Sequence, residues 1–128
     1  MAFDSGDGET LARFIVEKAH IRYPSNTVRH NAFMPPSNGR KSVYWISGLS
    51  DPEIWTIGIT HVAPALGKPL LGRADLNSLP VYKENLRVEI VPVPHPRHAD
   101  IIGWDADASR ARLQATKLAN VATLHLLR

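Results

Sequence analysis

Leu86-Arg87-Val88-Glu89-Ile90-Val91, with P-V-P-H-P-R-H-A-D-I-I-G-W behind it over residues 92–104, is the stretch on which the fold turns. Apolar and charged residues alternate through its first six positions, the two-residue period of a strand with one covered face and one wet face. Pro92, Pro94 and Pro96 then remove ladder donors and fix the backbone, so the chain leaves the strand as a stiff rim. Ala99 to Trp104 reads as a short second strand or extended edge. Within this rim His95, Arg97, His98 and Asp100 are gathered in six residues.

Outward from this stretch, Asp107 or Asp105 caps a final helix that carries Ala111, Ala115, Leu118 and Ala122 on one face. Upstream, Ser78 to Glu84 reads as a turn of helix and Leu70 to Leu76 as a weak strand. Ser50-Asp51-Pro52-Glu53 offers a capping box, or Asp51 with proline in the first turn, and predicts a short helix from Pro52 to about Val62. Ser42 to Gly48 is a strand rich in β-formers. Thr27 to Phe33 is a short extended segment, followed by turn chemistry through Pro35-Pro36-Ser37-Asn38-Gly39. Asp7 to about Tyr23 reads as a first helix, with Asp7 as cap, an Arg13–Glu17 pair and Leu11, Phe14 and Ile15 on one face. The class that follows is α+β: a small antiparallel sheet with an N-terminal and a C-terminal helix, in a single domain over 1–128.

Composition narrows the function classes. With 44% apolar and 21% charged residues, the chain has the balance of a globular protein with a core. It has no cysteine, hence neither disulfides nor thiolate chemistry. No apolar run reaches membrane-span length, and Met1-Ala2-Phe3-Asp4-Ser5-Gly6-Asp7 lacks the features of a signal peptide, so the expected location is cytoplasmic with no membrane partner. A formal charge of +3 indicates a mild preference for anionic partners.

Six histidines are present, and the segments that hold them are the chemical candidates. In Arg29-His30-Asn31, Arg29 suits a phosphate and His30 acid–base work, against the plainer reading of a solvated strand edge. In His95-Pro96-Arg97-His98-Ala99-Asp100, two imidazoles beside a guanidinium suit acid–base chemistry on a phosphodiester, with Asp100 orienting an imidazole. The plainer reading pairs Asp100 with Arg97 or His98. His95, His98 and Asp100 also make a weak metal set, because proline disfavours the helical histidine spacing of a zinc motif. His61, Lys68 and Arg73 read as a solvated face, and His125 as a partly buried histidine of the terminal helix. Trp45, Trp55 and Trp104 read as core. Gly39-Arg40-Lys41 can touch phosphate from a loop tip, although two exposed cations there need no special role. No phosphate-loop, dinucleotide, nucleophile-elbow or zinc-helix signature occurs.

The order R-H-N-A-F-M-P-P, S-V-Y-W-I-S-G-L, G-R-A-D-L and H-P-R-H-A-D-I-I-G-W resembles that of small bacterial proteins with an A-F-x-P segment, an S-V strand and an R-H-A-x-I-x-G-W segment. The resemblance covers roughly a hundred residues. It implies that Arg29, Phe33, Arg73, Arg97, His98 and Trp104 belong to one architectural template, and it carries no mechanism. The expectation is a protein that binds a phosphorylated or anionic ligand, a nucleotide or RNA, with histidine-dependent phosphodiester chemistry. His98, His95 and His30 are its acid–base residues, and Arg29, Arg97, Asp100 and Arg73 its ligand-binding residues. No organic cofactor and no metal are implied. The alternative is an interaction module in a protein complex, which requires an apolar surface patch at Phe33, Met34 and Pro35.

Overall fold

Residues 10–15, the middle of the predicted first helix, form a strand. In the computed structural model, which describes residues 8–127, β1 (Thr10–Ile15) pairs along its whole length with β5 (Gly72–Asn77). On its other side it meets β4 (Lys41–Trp45). Leu11, Ala12, Phe14 and Ile15 are all buried, because both faces of β1 are covered. A strand buried on two faces loses the alternation that marks a strand in sequence, and its apolar run then also fits a helical period. Glu17 pairs with Lys68 instead of Arg13. The Asp7 cap lies outside the described residues.

The rest of the α+β expectation holds in outline, but the final helix stops at Val121. His125, expected as a partly buried residue of that helix, is an exposed residue of a last strand. β6 (Arg87–Ile90), β7 (His98–Ile102), β4, β1, β5 and β8 (Thr123–Leu126) make one antiparallel sheet in that order. The proline rim joins β6 to β7. A two-stranded ribbon, β2 (Ile21–Arg22) with β3 (Thr27–Val28), sits apart. The extended segment predicted over 27–33 is thus a strand only at its start, and His30–Ala32 is a tight 3₁₀ turn.

The sheet is covered on both faces. On one, Leu11, Val43, Ala74, Val88 and Ile101 pack with Phe33 and with Ala115 and Leu118 of the C-terminal helix, here α4 (Ala108–Val121). Asp107 caps α4 by accepting from the backbone of Ser109 and Arg110, while Asp105 accepts from Asp107. On the other face, Ala12, Phe14 and Tyr44 pack under Ile54 and Ile57 of α1 (Asp51–Ile57). Both halves of the Ser50/Glu53 capping box are formed. The helix then widens through a π turn at Gly58–Val62 and ends as α2 (Ala63–Leu66), where Gly67 takes the left-handed conformation. The helical turn predicted after residue 77 is α3 (Ser78–Lys83).

Gly58 sets how closely α1 lies on the sheet. A Cβ there would stand 2.7 Å from the Phe14 ring and 2.8 Å from Leu70. Both neighbours are buried and have little room to yield. Gly58→Ala is expected to lower stability by about 1–3 kcal/mol despite alanine's better helix propensity. Urea unfolding checks this; an unchanged midpoint would mean that the helix lifts freely.

Candidate functional site

The β1–β4 ladder stops after two pairs, Leu11↔Trp45 and Ala12↔Tyr44. Beyond it the carbonyl of Ser42 is taken by a side chain instead of a strand: Arg13 Nη1 donates to it at 3.1 Å, and Arg13 Nε donates to Ala32 O at 3.1 Å. The open end of the ladder and the overhanging π turn and α2 enclose a cleft of about 380 Å³. Phe14, Val62 and Leu66 give it apolar walls. Arg13, Arg40 and Lys41 bring cations, and Ser42, Tyr44, His61 and His98 bring polar and titratable groups.

The three cations differ in their surroundings. Arg40 is neutralised: its Nε donates to Asp100 Oδ2 at 2.9 Å, and its Nη2 pairs with Glu89, which together hold its pKa above the usual value. Arg13 and Lys41 have no carboxylate partner among the described residues. Burial pulls the Arg13 guanidinium down to about 10. Burial first, and Arg13 second, pull the Lys41 amine down to about 7. His20 beside them is lowered to about 4 by burial, then by Arg13 and Lys41. Arg13 and Lys41 border the cleft at the open end of the ladder, and by register their side chains lie on the sheet face of Ala74 and Ile101, opposite Ser42 and His98.

His98 is held at both ring nitrogens. Nδ1 lies 2.9 Å from Val91 O, and Nε2 lies 2.8 Å from Ser42 Oγ. Asp100 Oδ1 is 3.5 Å from the same Nε2. The Tyr44 ring stands edge-on to His98 at 5.4 Å and to His95 at 5.9 Å, and His95 meets His61 at 4.6 Å. His95 is lowered by burial, then by His61, Arg97 and His98.

The predicted residues divide into those the fold gathers and those it does not. His98 lines the cleft with Asp100 behind it at 3.5 Å, and His95 stands against His61, another lining residue. Arg97 serves as a brace: its Nη1 donates to Ser47 O at 3.0 Å, and the guanidinium stacks 3.8 Å from the Trp45 ring centre. His30 and Arg29 are elsewhere. The His30–Ala32 turn packs against α4, on the sheet face opposite His98, and Arg29 Nε donates to Ile21 O. Arg73 is buried in its own cluster with Asp75, Asp51 and the Trp55 ring, so the solvated-face reading is corrected for that residue. His95, His98 and Asp100 do not form a metal set, and no such group of three exists among the described residues. No helix among those residues is long and apolar enough to cross a membrane.

Arg13, Ser42 and Tyr44 are the residues that sequence reasoning passed over as site residues, and Lys41 was read only as a loop-tip cation. One signal was available: a lone arginine inside the run L-A-R-F-I, where a buried strand requires it to find partners. Gly39, with φ 70°, closes a turn on Pro36 O that aims Arg40 and Lys41 into β4, so the loop-tip cations enter the sheet. No family model matches the chain, and no curated protein and no solved structure matches it.

Proposed function

We propose that the protein binds a phosphorylated or similarly anionic ligand of about nucleotide size in this cleft, with His98 as its acid–base group. One observation carries the reading: Arg13 and Lys41 are enclosed next to one another without a carboxylate among the described residues. Two like charges out of water are unfavourable until a counter-charge arrives, and an anionic ligand supplies it. The cleft volume lies in the range of small-molecule sites, and its mixture of apolar walls with a few polar groups is what such sites use. Arg13 and Lys41 border a cleft where the β1–β4 ladder opens, not a broad surface, which favours one phosphate-bearing molecule over the backbone of an RNA. The apolar patch that would favour the interaction-module alternative is not exposed as one surface, since Phe33 is fully buried and Met34 and Pro35 are half-buried.

Titration of the protein with inorganic phosphate and with a nucleoside monophosphate, followed by NMR, tests the proposal. Saturable shifts are expected at Arg13, Lys41, Ser42 and His98. Weak, unsaturating shifts spread over Arg22, Arg29, Arg110 and Arg112 would sink it, because those exposed cations attract any anion.

A further inference from the structure

We propose that Ser42 is a nucleophile, activated by His98, that takes the phosphoryl group from a phosphate ester held in the cleft. The inference rests on the anion-binding reading above and adds a reaction to it. A carbonyl only accepts, so the 2.9 Å contact to Val91 O places the proton of a neutral His98 on Nδ1. Nε2 then presents its lone pair to the Ser42 hydroxyl 2.8 Å away. Nucleophile, base and a third group that orients the base are thus all in place, with a backbone carbonyl as the third member. Val91 N also donates to His98 O, which ties the orienting residue to the strand that carries the base.

Asp100 completes the set in a different role. Its Oδ1 stands 3.5 Å from Nε2 while Arg40 holds Oδ2. Once His98 takes a proton, a fixed carboxylate faces the imidazolium. In the first step Ser42 Oγ bonds to phosphorus as the bond to the ester oxygen breaks. The serine proton passes to His98 Nε2 and from there to the departing alcohol. A water then attacks the phosphoserine and gives one proton to His98. That proton returns to Ser42 Oγ as the phosphate leaves. Phosphorus esters carry negative charge throughout this sequence, whereas carboxylic esters are neutral before attack. Arg13, whose Nη1 lies 3.1 Å from Ser42 O at the open end of the ladder and which has no carboxylate partner among the described residues, therefore favours the phosphorus ester.

The test uses the full chain with p-nitrophenyl phosphate, bis(p-nitrophenyl) phosphate and p-nitrophenyl acetate, plus acid quenching and peptide mapping. Release of nitrophenol from a phosphate ester is expected, with a phosphate adduct on Ser42. Turnover should fall by at least about 100-fold in Ser42→Ala and in His98→Asn. Inorganic phosphate should still bind Ser42→Ala. Should that variant fail to fold, Ser42→Cys replaces it, and its alkylation by iodoacetamide should slow when His98→Asn is added. Persistent turnover in Ser42→Ala, an adduct elsewhere, cleavage of the acetate alone, or a Ser42→Cys thiol indifferent to His98 would each overturn the proposal. Absent turnover with intact phosphate binding would overturn the nucleophile and leave the binding site standing. Absent phosphate binding would overturn both.

Discussion

Lys41→Met is expected to weaken phosphate binding by at least about tenfold while raising the stability of the ligand-free protein by about 1–2 kcal/mol. The two effects have one cause. In the folded chain the amine is lowered from 10.5 to about 7, by burial first and by Arg13 second. Between those two pH values the unfolded chain keeps the proton and the folded chain has released it. Stability of the wild type therefore rises with pH across that window and lies at its lower plateau below about 7. His20 acts in the same direction lower down, between about 4 and 6.5. The magnitude is kept well below a direct conversion of the shift, since Lys41 retains some contact with solvent. Removing the amine abolishes the upper window, so the advantage of the variant should be largest near pH 6 and vanish toward 10.5. Urea unfolding of both proteins from pH 6 to 10 measures this. A variant less stable than wild type at pH 6 would mean that Lys41 is compensated in the folded state.

Arg73→Met is expected to reduce stability by about 3–5 kcal/mol and to leave phosphate binding intact. The Arg73 side chain is 4% exposed, donates through Nη2 to Asp51 at 2.9 Å and through Nε to Asp75, and lies 4.5 Å from the Trp55 ring centre. Its Nη1 is buried without a partner. Asp75 is already pushed up by burial, with Arg73 the largest opposing influence. Without the guanidinium the carboxylate keeps His125, 3.5 Å away, as its remaining partner. Asp75 would then titrate higher still. A carboxyl raised in the folded state is better tolerated once protonated, so the deficit of the variant should shrink as pH falls through the raised titration of Asp75. Adding Asp75→Leu should recover much of the loss, because an apolar pair removes the orphaned charge. Urea unfolding gives all of these quantities; a deficit under about 1 kcal/mol would show the cluster to be no more than a surface ion pair.

The contrast between these sites explains what could be read in advance. The Ser50/Glu53 box, the Asp107 cap and the alternation before Pro92 rest on neighbours within a few residues, and each forms as expected. β1 could not be read that way, because its partners are β4 and β5, and burial on both sides erased its period. His98 and Asp100 were legible as a cluster because they share one short strand. Their partners were not. Ser42 reaches His98 only through the β4–β7 pairing, and Arg13 reaches Ser42 only because the β1–β4 ladder opens there. Arg97 was a fair candidate by chemistry, yet the Trp45 ring and the Ser47 carbonyl claim it in the fold.

Titration of the Lys41 side chain by NMR, with and without saturating sulfate, addresses the enclosed cation itself. Sulfate keeps its charge throughout the range, so any shift belongs to the protein. Without sulfate the amine should titrate near 7, far below its usual 10.5. With sulfate bound in the cleft its midpoint should rise clearly, as the anion restores the charged form. A midpoint that starts near the usual value, or one that sulfate leaves unmoved, would contradict an anion site built on Arg13 and Lys41.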